Sequence, residues 1–176
     1  MRVVLHISDL HFGTERLPVM HALQAWVRTE KPDLLIVSGD ITQRARSAQF
    51  RAAAEYIGSL SVPARLVIPG NHDIPLFNVF ARLLQPFGKF QGVFGTDLEP
   101  EFESNELLVL CVNSTRPERH KHGAVTVDQI ERVAERLRAA APRQLRMVVM
   151  HHPVLAITAG DQINLLRGHA AATRIW

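Results

Sequence analysis

Leu34-Leu35-Ile36-Val37-Ser38-Gly39-Asp40 is a wholly apolar run that ends on a glycine and a carboxylate. Three other stretches repeat the pattern. Val3-Val4-Leu5 leads to Asp9-Leu10-His11, Leu66-Val67-Ile68 leads to Gly70-Asn71-His72-Asp73, and Met147-Val148-Val149-Met150 leads to His151-His152. A short apolar run bounded by turn residues reads as a buried strand. Between the first three runs lie helical spacings. Leu17 to Thr29 carries Leu17, Met20, Leu23, Trp26 and Val27, and Ser47 to Leu60 carries Phe50, Ala54, Ile57 and Leu60. Strand and helix in alternation predict a parallel sheet with crossover helices. In such a sheet the residues just past the strands gather along one edge, which is where ligands bind.

The second half predicts a second or mixed sheet. Pro75 to Phe87 reads as a short helix, and Gly88 to Gly95 as loop or irregular strand. Phe102 to Val112 reads as a hairpin around Ser104-Asn105. Thr126 to Ala140 is an amphipathic helix capped by Thr126, with Val127, Ile130, Val133, Ala134 and Leu137 on one face. Asp161 to Trp176 reads as a final helix.

With 176 residues the chain suits one domain, 1–176, with a real core. It is 47% hydrophobic and 21% charged, as soluble globular proteins are. No apolar stretch approaches the ~20 residues that span a bilayer, so no membrane is expected. The N-terminus runs straight into a strand, with no h-region or small-residue cleavage site of a signal peptide. Cys111, the single cysteine, reads as a small buried hydrophobe. A reducing cytoplasm is the expected compartment. The net charge of +3 does not predict nucleic acid as a partner. All basic residues but Lys31, Lys89 and Lys121 are arginine, spread without runs and read as solvated faces.

The strand-end groups are metal-binding in kind. In an extended segment Asp9 and His11 would point the same way, so that a carboxylate oxygen and an imidazole nitrogen meet one ion. Asp40 can bridge two cations, one per oxygen, and Gly39 would let backbones approach closely. Asn71 offers a neutral amide oxygen. His72, pointing elsewhere, would be free to act as a proton donor, with Asp73 orienting its ring through a hydrogen bond. Of the two histidines at the fourth strand end, His151 is preferred as the ligand because it comes first. Each group alone also fits a cap, a turn or a packed histidine. Four of them at successive strand ends point to one shared metal site.

In this order, Asp9-x-His11, Gly39-Asp40, Gly70-Asn71-His72-Asp73 and His151 resemble the calcineurin-like metallophosphoesterases over positions 1 to about 155. Ile7-Ser8-Asp9-Leu10-His11-Phe12-Gly13, Ser38-Gly39-Asp40-Ile41-Thr42 and Met150-His151-His152-Pro153 look most like the bacterial class III cyclic-nucleotide phosphodiesterase branch. The resemblance implies an α/β fold, a two-sheet β sandwich flanked by helices in four layers. It implies a dinuclear site of Mn, Fe or Zn. Asp9, His11 and Asp40 would hold one ion, Asp40, Asn71 and His151 the other, and Asp40 would bridge. Such a pair binds phosphoryl oxygens and activates water for in-line attack on phosphorus. His72 would protonate the leaving alkoxide or hold the phosphoryl group.

The expected activity is hydrolysis of cyclic nucleotides or other small phosphodiesters. The alternatives with the same site are a phosphomonoester, a nucleotide-sugar lipid or a nucleic-acid end as substrate. A non-enzymatic alternative is a metal-poor remnant. The recognition loops, around Phe77 to Gly95 and Arg116 to Gly123, are not legible, and Arg44 and Arg116 read as exposed surface arginines. The family's closing Gly-His-x-His is replaced by Gly168-His169-Ala170-Ala171, with His169 an incidental helix residue. The expectation is therefore a domain that stops before its last strands. Its metal binding would be weakened, and an exposed sheet edge would favour homo-oligomers.

Overall fold

The computed structural model describes residues 3–76, 78–119 and 121–176. Phe77, at one end of an expected recognition loop, lies outside them. Strands β1 (Val4–Ile7), β2 (Leu34–Ser38) and β3 (Ala64–Ile68) form one sheet in the order β1-β2-β3. All pairs in it are parallel, with Val4 opposite Leu34 and Leu34 opposite Ala64. Helices α1 (Leu17–Glu30) and α2 (Ser47–Ser59) make the crossovers. Helices α3 (Val79–Leu84) and α4 (Gly88–Phe94) lead to the second sheet. There β4 (Glu101–Glu103) pairs antiparallel with β5 (Leu107–Cys111), which pairs parallel with β6 (Leu145–Val149). Helix α5 (Val127–Ala139) crosses from β5 to β6, and α6 (His169–Ile175) closes the chain.

Alternation along the strands sorts side chains into three apolar layers. Leu34, Ile36, Leu66 and Ile68 of the first sheet meet Leu107, Val109, Cys111 and Val149 of the second. The opposite face of β2, Leu35 and Val37, packs with Phe50, Ile57 and Phe90 under the first set of helices. Leu108 and Leu110 pack with Ile130, Val133 and Leu166 under α5 and the C-terminal segment. The architecture is the expected four-layer αββα sandwich. The Phe102–Val112 hairpin and the Thr126 cap, whose hydroxyl accepts from the Gln129 amide, are also as expected. Cys111 is buried, and burial pushes its thiol up to about 12.

Three expectations are corrected. Gly88 to Gly95 is not loop or strand but α4, because the fully buried Phe90 and its neighbour Phe94 pack against Phe50. Tertiary packing here overrides the low helix propensity of glycine. The segment from Asp161 is not one helix. A 3₁₀ turn at Ala159–Asn164 gives way to an extended stretch whose Arg167 bridges Ala124, and α6 follows. Leu166 is fully buried while Ile163 is exposed, so the apolar residues of this segment do not share one face. Within the predicted helix faces, Leu17, Trp26 and Val127 are exposed.

Candidate metal centre

The parallel order of the first sheet puts the exits of β1, β2 and β3 on one edge. The loops there are laced together by backbone. The Asp9 amide donates to the Gly39 carbonyl at 3.1 Å, the His11 amide to that of Asp40 at 2.9 Å, and the Phe12 amide to that of Ile41 at 2.8 Å. Asp9, His11 and Asp40 adopt φ of 56°, 45° and 48°. The expected extended Asp9-x-His11 segment is therefore corrected: left-handed turns at both residues bring the two side chains together. Non-glycine residues are uncommon in this region, and the surrounding structure must hold them there. Gly39, at φ 92°, is required twice over. A Cβ there would lie 2.7 Å from the His151 ring and 2.8 Å from the Gly70 Cα.

The side chains converge on Asp40. Its Oδ2 lies 3.9 Å from His11 Nε2 and 4.0 Å from His72 Nε2. Its Oδ1 lies 3.4 Å from His151 Nε2 and accepts from the His72 amide at 2.8 Å. Asp9 Oδ1 is 3.8 Å from His11 Nε2, and Asn71 Oδ1 is 3.2 Å from His151 Nε2. Two groups could each hold an ion: His11, Asp40 and His72, and Asp9, Asp40 and His151. His72, expected only as a proton donor, thus also stands within reach of an ion. Burial alone would raise the Asp40 pKa. The hydrogen bond and charge of His151, with the His72 amide, outweigh it and hold the carboxyl below its ordinary value. Burial opposes a charge on His151 as well, and Asp40 outweighs that, raising the imidazole.

The ring tautomers follow from backbone carbonyls. His151 Nδ1 lies 2.9 Å from the Ser38 carbonyl, and His72 Nδ1 lies 3.1 Å from that of Gln43. A carbonyl only accepts, so each Nδ1 carries a proton, and each Nε2 faces Asp40, free to bind an ion as a neutral ring or to donate as a protonated one. Neither carbonyl could have been found from side-chain identity, since both act through the main chain.

Asp73 does not orient His72. Its carboxylate accepts from the amides of Gly70 (2.9 Å), Ile41 (3.0 Å) and Thr42 (2.8 Å), and from Thr42 Oγ1 (2.9 Å). It is buried and pins the β2 and β3 exit loops to each other. Burial pushes it up to about 6, offset in part by those amides. Thr42 is the residue that sequence reading missed here, although it stands two positions after Asp40. His152 also turns away. Its Nδ1 meets Ser114 Oγ at 2.8 Å, and burial, then the neighbouring His151, lower it to about 4. His169 starts α6 and belongs to neither group. Arg44 is exposed, as expected. Arg116 is not: it is half-buried and donates to the carbonyls of Asn113 and Thr115 and to Gln129 Oε1.

The donor set fits a cation. His151 Nε2, Asn71 Oδ1 and Asp40 Oδ1 face one another at 3.2–3.4 Å, so an ion could take all three in place of the proton that His151 otherwise shares with them. Oxygen and imidazole donors suit borderline divalent metals.

The sequence pattern of the calcineurin-like phosphoesterases matches residues 2–173. Two curated relatives carry diesterase names. A probable cyclic nucleotide phosphodiesterase of Synechococcus is 28% identical over 178 residues, covering 94% of this chain and 64% of its own. The glycerophosphodiester phosphodiesterase GpdQ of Enterobacter lignolyticus is 27% identical over 184 residues, covering 95% and 63%. The chain thus spans less than two thirds of the length of either relative. The crystal structure of a dimetal phosphatase from Danio rerio shares the fold, with a TM-score of 0.67 at 16% identity over 99% of this chain and 76% of that one. No helix among the described residues is long and apolar enough to cross a membrane. The strand-end groups, the four-layer sandwich that gathers them and the match over nearly the whole length lead to one conclusion: the chain belongs to the calcineurin-like phosphoesterase family.

Proposed function

We propose that this chain hydrolyses small phosphodiesters at a two-metal centre. The observation that carries the reading is the division of Asp40. One oxygen faces His11 and the other faces His151, as a carboxylate shared by two cations requires. Asp9, His11 and Asp40 would hold one ion, and Asp40, Asn71 and His151 the other. The ions would supply charge for the phosphoryl oxygens and an activated water. The chain's own residues do the rest. His72 is fixed by the Gln43 carbonyl through Nδ1, so a proton on Nε2 is aimed at the site and available to a leaving oxygen. Asp73 and Thr42 keep the Asp40 and Asn71 loops in register. The names of both relatives above favour a diester as substrate.

The test is metal content together with turnover. With Mn2+, the purified chain should hold two ions and cleave bis(p-nitrophenyl) phosphate at least about tenfold better than p-nitrophenyl phosphate. Asp40→Ala should lose both ions and the turnover. Turnover that survives Asp40→Ala, or a chain that binds no metal, defeats the reading.

A further inference from the structure

The centre lies between two clefts that differ in size and in the charges they hold. On the Asp9 and His11 side lies a cleft of about 360 Å³ with an apolar wall of Leu10, Phe12, Val19, Met20, Leu23 and Tyr56, and with the opposite charges of Glu15 and Arg16 also in its lining. Its floor is fixed: Phe12 and Tyr56 pack with ring centroids 5.9 Å apart and planes tilted by 50°, and the Tyr56 hydroxyl donates to the Met20 carbonyl at 2.9 Å. With that hydroxyl taken up, this wall of the cleft offers apolar surface. On the Asn71 and His72 side lies a small cavity of about 40 Å³ lined by Arg44 and Arg82 together with Ile74 and Leu76. Arg82 donates to the carbonyls of Pro75, Pro117 and Arg119, and Arg44 to that of Gln43. Carbonyls leave the guanidinium charge uncancelled, and neither arginine has an ion pair among the described residues. The rings of His11 and His72 stand between the clefts, 4.8 Å apart and edge to face.

We infer that the two arms of the diester are sorted by these clefts. The retained arm is an apolar or planar alcohol seated against Met20, Leu23 and Tyr56, and the departing arm is a small polar or anionic alcohol over His72. The inference rests on the proposed diesterase activity and adds its direction. Water forms the new bond to phosphorus. The bond to the arm beside His72 breaks, and its oxygen takes a proton and leaves as the free alcohol. The arm in the apolar cleft stays on the monoester product. The occupant follows from continuity: Asp9 and His11 belong to the cleft wall and to the ion groups at once, so a phosphoryl group on the ions has this apolar surface beside it. The cavity that holds Arg44 and Arg82 is far smaller, about 40 Å³, and suits a small arm.

Two diesters with one small polar leaving group test this: glycerol phenyl phosphate and glycerol methyl phosphate, with released glycerol as the readout. Seating a ring predicts a preference in kcat/KM for the phenyl ester of about tenfold or more. Met20→Gln should cut that preference, read as the ratio of the two kcat/KM values, severalfold. The intrinsic reactivities of the two esters cancel in the comparison of variant with wild type. Val19→Gln, at an exposed position on the same wall, repeats the test where the fold is not at stake. Calorimetry of phenyl phosphate against methyl phosphate on the Mn2+-loaded chain supplies a readout free of turnover, with phenyl phosphate expected to bind about tenfold tighter. Equal binding of the two, or loss of both turnovers in proportion in the variants, overturns the inference. Tighter phenyl phosphate with no turnover of either diester defeats the proposed activity and leaves the cleft assignment standing.

Discussion

The carboxylate of Asp73 accepts four hydrogen bonds, from residues that directly flank Asp40 and Asn71 in the chain or lie one position beyond. Asp73→Asn replaces one oxygen with an amide nitrogen, which must face one of those donors. The loss of charge-assisted bonds and the new donor clash should cost about 2–3 kcal/mol. Urea unfolding at pH 7.5, where Asp73 is ionised, measures it. An unchanged midpoint would remove Asp73 from the framework. The sequence showed Asp73 as a polar residue beside a ligand, but not its partners. Those are main-chain amides of another loop, and nothing in local spacing marks them. His152 yields a pH prediction. Its folded value of about 4 lies below the ordinary 6.5, so the folded chain favours the neutral ring. That contribution is present above pH 6.5 and is lost as pH falls toward 4, a span worth about 3 kcal/mol. In the metal-free protein, His152→Gln should therefore lose less stability between pH 7 and pH 4.5 than the wild type does. Parallel pH profiles for the two proteins would contradict the assignment.

Helix α4 shows where local reading fails for a physical reason. Gly88, Gly92 and Gly95 argue against a helix, and propensity is all that a short window supplies. What decides it is Phe90, fully buried 40 positions from its partner Phe50, with centroids 6.4 Å apart. Phe90→Ala should remove about 3 kcal/mol or more of stability. It should also speed amide exchange in α4 before the rest of the domain, as hydrogen exchange read by mass spectrometry would show. Protection of α4 equal to wild type would mean that the helix stands by itself. The arginines of α5 teach the same lesson in charge. Arg132 meets Glu99 and Glu101 at 2.8 and 3.0 Å, and Arg136 meets Glu101 and Glu103 at 2.9 Å each. Four residues of helix rise about 6 Å, and two residues of strand rise nearly 7 Å, so alternate glutamates match successive helical turns. Read along the chain these arginines are only a solvated face. The pairing exists because α5 lies across β4.

The two sheets meet through the apolar layer of Leu34, Ile36, Leu66 and Ile68 against Leu107, Val109, Cys111 and Val149. The site adds a polar link at one edge of that layer. The strand-end pattern was legible because each apolar run ends on its own polar group. The apposition of the sheets was not, since it follows from which faces are buried rather than from any one segment. Under the proposed ligand set, Asp9, His11, Asp40 and Asn71 come from loops of the first sheet, and His151 alone follows β6 of the second. A bound ion therefore clamps sheet to sheet. Mn2+ at a free concentration of about 100 times its dissociation constant should stabilise the fold by about 2.7 kcal/mol, and EDTA should reverse it. For a chain of this size that is a rise in Tm of about 5–10 °C. The clamp makes a sharper claim about where the gain appears. In the wild type Mn2+ should slow amide exchange in β5 and β6 as well as in the first sheet. Asp9→Ala should weaken Mn2+ binding yet keep that protection at saturating metal, because the link through His151 survives. His151→Ala should confine the protection to the first sheet. Mn2+-dependent slowing of exchange in β6 that persists in His151→Ala would show that the ions stabilise the first sheet alone and that the sheets are held together by the apolar layer without them.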